Sequence, residues 1–419
     1  MTADKIILGA GKNVTYTTDC NETGLNNNII VSGGSGSGKT VSVTEMRLLN
    51  TYSTNLVVTV TKRRIVNKYK KLFEERGYVV EDLNFTYPAK SKIAFDPLQY
   101  IKSYTDITFL AESIVKADPK KDKSNSDPYW DEAAISLLSA EISYVLMTNE
   151  KATLADVLDF HDSLNIRERG DGITSSADAK FTGLEIKDPG CFAVTCWKSF
   201  KNLPMRTASC IFSTLNTTLD TLFSPELRKM IRLENKVDFK EIASKKTVLF
   251  VSTSAVNPSL NCFVNMFYGQ MFKELFEFAE KRPNGKLPIP MHVICDDFAT
   301  GSKILNFPEY ISIFREKDLS VTILIQSESQ LESIYGADDA VTIINNADTY
   351  LFLGGMDLTT ARHISERLDK PLCDVLYMPI GQEIIFRRGQ KPIITKRYDI
   401  YQDELFQELT AKYEYNSAR

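Results

Sequence analysis

Histidine and tryptophan are scarce in this 419-residue chain, with three and two copies, and its seven cysteines are scattered without a Cys-x-x-Cys pair. An odd number of cysteines at such spacing fits reduced, mostly buried thiols in a cytoplasmic setting better than a disulfide framework. His161, His292 and His363 lie far apart, and only His292 has a cysteine close by, Cys295, so a zinc site is not expected. His292 falls within a hydrophobic strand and reads as a satisfied core residue. Charge of one sign is also lacking: 50 basic and 54 acidic side chains leave a net charge of −4, which excludes a polycation that coats nucleic acid with its whole surface, though not a local basic channel. No run approaches the roughly 18 apolar residues of a membrane span. The start, Met1 to Asn13, lacks the basic region and long apolar core of a signal peptide. These absences predict a cytoplasmic chain that does not cross a membrane.

What is present is the balance of an ordinary globular protein, 43% hydrophobic and 25% charged. The length suits two or three domains. Short apolar or β-branched runs at Ile29–Val31, Asn55–Val60 and Tyr78–Val80 alternate with helical patterns, a rhythm that predicts a sheet with helices on its faces. Over 101–236 the spacing turns helical, with Trp130, Ala134, Leu137, Leu138 and Ile142 recurring at three- and four-residue steps. Strands return at Thr247–Ser252, Met291–Cys295, Val321–Ile325 and Thr349–Leu353, and a terminal hairpin is expected at Ile384–Phe386 and Pro392–Ile394. An aromatic stripe from Phe263 to Phe278 reads as a helix packed on the sheet. The expected organisation is an α/β domain in two segments, 1–100 and 237–419, interrupted by an all-α domain at 101–236.

Gly33-Gly34-Ser35-Gly36-Ser37-Gly38-Lys39-Thr40 carries the pattern Gly-x₄-Gly-Lys-Thr between an expected strand and an expected helix. Glycines let successive amides turn inward around phosphates, and a helix N-terminus adds partial positive charge. Lys39 is a point charge for the β and γ phosphates, and the Thr40 hydroxyl is a ligand for Mg²⁺; ATP and Mg²⁺ are therefore the expected cofactors. Ligands of parallel sheets gather at strand carboxyl ends. There Asp296 is placed to hold Mg²⁺ near Thr40, and Asp297 to orient the attacking water, although aspartate reaches one methylene less far than glutamate. Gln326 ends the following strand, as a γ-phosphate sensor or a satisfied polar residue. Arg315 is a surface arginine in a monomer, or an arginine finger reaching a neighbour's triphosphate in a ring. Two basic clusters, Lys62-Arg63-Arg64 with Lys68, Lys70 and Lys71, and Lys120, Lys121 and Lys123, are either solvated faces or contacts for phosphate backbone.

The order of these motifs resembles the TraG/TraD-type coupling proteins of conjugation and type IV secretion, which are similar to the FtsK/HerA ring ATPases. The likeness spans nearly the whole chain: Asn28–Thr40; Phe95-Asp96-Pro97-Leu98; Asp127-Pro128-Tyr129-Trp130; Asp296-Asp297-Phe298-Ala299-Thr300; Ile325-Gln326-Ser327 with Gln330-Leu331 and Tyr335-Gly336; and Gly354-Gly355-x-Asp357-x-x-Thr360-Ala361. The resemblance implies a RecA-like P-loop domain with an inserted all-α domain that recognises cargo. It implies a hexamer at the inner face of the cell membrane that receives relaxase with single-stranded DNA, or a secreted protein, and couples ATP hydrolysis to passage through a type IV secretion channel. It assigns Lys39 and Thr40 to triphosphate and Mg²⁺, Asp296 to the metal, Asp297 to the catalytic carboxylate, Gln326 to the sensor and Arg315 to the finger. Three departures stand out: Asp297 replaces the usual glutamate, Thr300 replaces an asparagine, and Thr61-Lys62-Arg63-Arg64 stands where Asp-Pro-Lys-Gly is common, leaving Lys62 to keep the local role. An ATP-gated docking platform with little turnover and a DNA-packaging ring ATPase are the competing readings. Membrane helices commonly precede the P-loop in relatives, and here about thirty residues do.

Overall fold

The structure, a computed structural model, describes residues 4–117, 128–169, 172–254, 258–298 and 303–417. Lys120, Lys121, Lys123, Ala299 and Thr300 lie outside them. The chain forms two compact units, one comprising 1–83, 238–255 and 271–419, the other 84–237 and 256–270. The strands in chain order are β1 (Lys5–Ile7), β2 (Thr15–Thr17), β3 (Ile29–Ser32), β4 (Asn55–Val60), β5 (Val79–Asn84), β6 (Ile166–Arg169), β7 (Gly172–Ser175), β8 (Thr247–Ser252), β9 (Met291–Cys295), β10 (Leu319–Ile325), β11 (Thr349–Phe352), β12 (Gln382–Arg387) and β13 (Ile393–Lys396).

The first unit is built on one large sheet in the order β13-β12-β11-β3-β10-β9-β4-β8-β5. β3, β4, β8, β9, β10 and β11 are buried at every position, which is why they read as continuous apolar or β-branched runs rather than alternating ones. They pair in parallel from β11 to β8. Their carboxyl ends therefore share one edge of the sheet. β12 and β13 run antiparallel, forming the expected terminal hairpin. Helix Arg63–Glu75 buries Ile65, Val66, Tyr69, Leu72 and Phe73, a single stripe at helical spacing. It joins Met46 and Leu49 over a core that includes Val31, Val58, Phe250 and Ile294. His292 is fully inside, its Nδ1 2.7 Å from Ser320 Oγ and its Nε2 2.8 Å from Thr322 Oγ1. Burial holds its pKa well below the usual histidine value, so it is a neutral structural residue.

The second unit is mainly helical, with its long helices at Tyr104–Val115, Pro128–Thr148 and Met205–Leu222. Two features differ from the sequence expectation. A short antiparallel pair, β6 with β7, sits within the helical region. The aromatic helix Pro258–Glu280 also divides between the units, because residues up to Gln270 belong to the helical one. Phe263 packs against Phe85, Phe95 and Phe223 with ring centroids 5.2, 5.5 and 5.6 Å away. Helical periodicity identified the buried stripe. It carried no information on which partner the first turns would meet.

Glu383 on β12 is a polar intrusion, 1% exposed. A Cβ on Gly9 would lie 2.5 Å from its Oε1, so only glycine leaves room there. Burial pushes the carboxyl from 4.5 up to about 8, against the pull of the Arg397 guanidinium. A carboxyl raised on folding stabilises at low pH, and that stability is lost as pH rises from its unfolded value through its folded one. The expected result is that Glu383→Gln leaves stability at pH 5 little changed but raises it at pH 8.5. The gain approaches about 1.4 kcal/mol for each pH unit crossed in that window, and denaturant unfolding at the two pH values measures it.

Candidate nucleotide-binding site

The loop Gly33–Lys39 leaves the carboxyl end of β3 between β11 and β10. Gly33 N–H donates to Ile325 O (3.2 Å) and Gly34 N–H to Gly354 O (2.9 Å), fixing the loop to both neighbours. Gly33 is required by space, since a Cβ there would stand 2.5 Å from Ser37 Oγ and 3.0 Å from Leu353 Cβ. Gly36 and Gly38 are required by conformation, with φ of +74° and +84°. Among the described residues, the amides of Ser35, Gly36 and Gly38 have no acceptor. These are donors that a polyphosphate would satisfy. The helix that follows opens with a wider, π-type winding over Thr40–Glu45 and becomes regular over Met46–Leu49.

Lys39 is 8% exposed and folds back over the loop, with Nζ 2.5 Å from Gly33 O and 3.2 Å from Gly34 O. Burial lowers its pKa, while Asp297 and Asp296 hold it up. Thr40 Oγ1 donates to Asp296 Oδ2 at 2.8 Å, across 256 residues of sequence. Burial raises the Asp296 carboxyl, and the Thr40 hydrogen bond opposes that rise. A half-buried hydroxyl and a buried carboxylate that meet beside an amide nest are oxygen donors of the kind Mg²⁺ prefers beside phosphate oxygens, so these residues fit the metal. Among the described residues no group of three or more His, Cys, Asp and Glu is placed to hold a metal.

Asp297 takes a left-handed backbone, φ +56°, two residues beyond the end of β9, with its amide donating to Asp296 Oδ1 at 3.1 Å. Aspartate is among the few non-glycine residues that adopt this conformation readily. Gln326 follows Ile325, which is in register with Ser32, so it stands beside Gly33 at the same edge. Lys62, two residues beyond β4, is exposed on that edge as well. Arg315 is not with them. It is exposed on the turn Phe314–Lys317, ahead of β10, whereas the site follows that strand's far end. Seven residues of strand separate the two edges, on the order of 20 Å. The first basic cluster is partly spoken for, since Arg63 makes a bidentate pair with Asp82 at 2.6 and 2.5 Å, and Lys68 lies 3.5 Å from Glu45 and over the Phe406 ring.

Three contributors have no role assigned from the sequence. The Gly354 to Ala361 motif ties the segment after Gln326 in place. Thr360 Oγ1 accepts from Glu328 N–H (2.9 Å) and donates to Asp357 (2.6 Å), and Asp357 also accepts from Ser329 Oγ. Tyr335 packs beside the Asp296–Asp297 pair, stacking on Phe298 with centroids 5.7 Å apart and accepting from Ile304 N–H at 3.0 Å. Their spacing was visible in the sequence, but their partners were not. The third is Arg397. It follows β13 and reaches the loop at Ser37 O and Gly38, and nothing in its local sequence marks it.

An amide nest at a strand-to-helix turn, backed by a buried lysine and faced by a threonine–aspartate pair, defines a RecA-like P-loop nucleotide-binding protein with a helical insertion. The family model for "Type IV secretory system Conjugative DNA transfer" matches residues 2–370, and the chain belongs to that family. No curated protein matches the sequence. Among solved structures, the unbound monoclinic form of the bacterial conjugative coupling protein TrwBdeltaN70 is 16% identical, with 94% of this chain and 88% of that chain covered and a TM-score of 0.68. The plasmid coupling protein TrwB in complex with ADP and Mg²⁺ is 15% identical, with coverage of 88% and 85% and a TM-score of 0.66. VirB4 of Thermoanaerobacter pseudethanolicus is 12% identical, with coverage of 96% and 98% and a TM-score of 0.57. At these identities the likeness is one of fold. No helix among the described residues is long and apolar enough to cross a membrane.

Proposed function

We propose that this chain is a coupling ATPase of conjugative transfer, which brings relaxase with single-stranded DNA, or a secreted protein, to a type IV secretion channel at the inner face of the membrane. The observation that carries the nucleotide chemistry is the 2.8 Å contact between Thr40 Oγ1 and Asp296 Oδ2 at the mouth of the glycine nest. The loop amides and Lys39 bind the triphosphate, Thr40 and Asp296 hold Mg²⁺, Asp297 accepts a hydrogen bond from the attacking water, and Gln326 reads the γ phosphate. Mg²⁺, when bound, neutralises charge on the β and γ phosphates. The helical segment 101–236 is the proposed cargo-recognition region, between nucleotide-binding segments 1–100 and 237–419.

Arg315 stands at the edge of the sheet opposite its own site, so its role as a finger requires a second subunit, in the proposed hexamer. Arginine fingers contribute about 10³–10⁵ in turnover. Arg315→Ala is therefore expected to leave nucleotide affinity within twofold and to lower the turnover of the assembled ring by at least about 10³. Steady-state phosphate release with and without single-stranded DNA, alongside native mass measurement in ATP, tests both the motor and the finger. An ATP-gated docking platform is favoured instead if the ring assembles in ATP and turnover stays negligible with DNA present. Asp297, one methylene shorter than glutamate, is the observation that supports this second reading.

A further inference from the structure

Arg397 is held at the base of the β12–β13 hairpin, where its amide donates to Gly381 O at 2.9 Å. Its guanidinium spreads over three backbone carbonyls from three separate segments. Nε donates to Gln382 O at 3.2 Å, Nη2 to Leu353 O at 2.5 Å, and Nη1 to Ser37 O in the phosphate loop itself. It lies against Gly38, where a Cβ would be 3.4 Å from Nη1. Among the described residues it forms no ion pair within 4.0 Å. The nearby carboxyl that opposes its charge, Glu383, is buried and held largely protonated at neutral pH.

This arrangement has a geometric consequence. In a trans peptide the carbonyl of one residue and the N–H of the next point in opposite directions. A guanidinium that grips Ser37 O therefore aims Gly38 N–H away from itself, on the side where that amide has no acceptor among the described residues. A planar fork with fixed donors suits this better than a flexible ammonium. The Arg397 charge, against Gly38 at one end of the loop while Lys39 Nζ lies on Gly33 O and Gly34 O at the other, adds to the positive field of the loop.

We propose that Arg397 is a positioning residue of the nucleotide site: it orients the Gly38 amide through the Ser37 carbonyl and serves as a second cation for the phosphates. The proposal rests on the nucleotide-binding reading above. Because it acts on the loop and not on the γ phosphate alone, it concerns diphosphate and triphosphate alike.

The test is titration of the purified full chain with fluorescent ADP and with a non-hydrolysable ATP analogue, both with Mg²⁺, for wild type, Arg397→Ala, Arg397→Lys and Lys39→Ala. Arg397→Ala is expected to raise both dissociation constants by about tenfold or more and by similar factors. Arg397→Lys, which keeps the charge and loses the fork, is expected to fall between wild type and alanine. Unfolding is followed in the absence of nucleotide. If Arg397→Ala lowers the melting temperature while the folded variant binds both nucleotides within twofold of wild type, the residue is a structural tie only and the proposal is overturned. A variant too unstable to titrate is replaced by Arg397→Gln, for which unchanged affinity has the same meaning. If wild type itself fails to bind and Lys39→Ala is indistinguishable from it, the nucleotide-binding reading fails instead.

Discussion

Replacement of Lys39 by alanine is expected to abolish tight binding of nucleoside triphosphate, raising the dissociation constant by roughly two to three orders of magnitude. Lys39 is buried and held against Gly33 O and Gly34 O, with the carboxylates of Asp296 and Asp297 close enough to sustain its charge. A bound triphosphate offers that ammonium far stronger acceptors than two neutral carbonyls. Truncating one partner of a buried, hydrogen-bonded charge pair costs about 2–5 kcal/mol, and each 1.4 kcal/mol is a factor of ten. Two contributions add in the same direction. The phosphates lose their point charge, and the loop loses the cation that holds its first two carbonyls. Lys39→Met, which keeps most of the side-chain volume, separates loss of charge from loss of packing. Calorimetric titration with a non-hydrolysable ATP analogue measures both variants, and retention of wild-type affinity in either would remove Lys39 from the site.

Asp297→Asn is expected to dissociate binding from turnover. Asparagine adopts the left-handed backbone about as readily as aspartate, so the turn at φ +56° and the loop it leads into are preserved. What is lost is the carboxylate that can accept a proton from water. General-base contributions are typically 10²–10⁴ in rate, so turnover should fall by about that factor while nucleotide affinity stays within about threefold. Phosphate release under saturating ATP, compared with equilibrium titration of the same preparation, checks the split. Equal turnover in wild type and variant would mean that Asp297 is not the base, and would favour the docking platform. Asp297→Glu answers a different question. Glutamate extends the carboxylate by one methylene but tolerates the left-handed backbone less well, so any gain in reach competes with strain in the turn.

The tie between the segment after Gln326 and the Gly354 to Ala361 motif shows why some motif residues had no evident role in one dimension. Asp357 caps the helix Leu358–Leu368, accepting from Thr360 N–H at 2.8 Å, and this part is local and readable. The same carboxylate accepts from Ser329 Oγ, and Thr360 Oγ1 accepts from Glu328 N–H, 32 residues away. These contacts hold the segment after Gln326 in place, and they exist only because β10 and β11 lie on either side of β3.

The amino-acid sequence by itself determined what depends on short-range geometry. Glycines with positive φ, a lysine and a threonine at fixed offsets, and a strand before and a helix after make the phosphate cradle within eight consecutive residues. Continuous apolar runs marked the buried parallel strands, and the hairpin signal at the end of the chain was equally local. Only the tertiary structure decided what depends on sheet order and strand direction. It brought Thr40 and Asp296 together across 256 residues, placed Arg315 at the edge away from its own site, divided one aromatic helix between two units, and laid Arg397 against Ser37 across 360 residues. The physical reason is that backbone conformation and side-chain periodicity are set within a few residues. Which strand lies beside which, and which end each presents, is settled by burying both faces of the whole sheet at once.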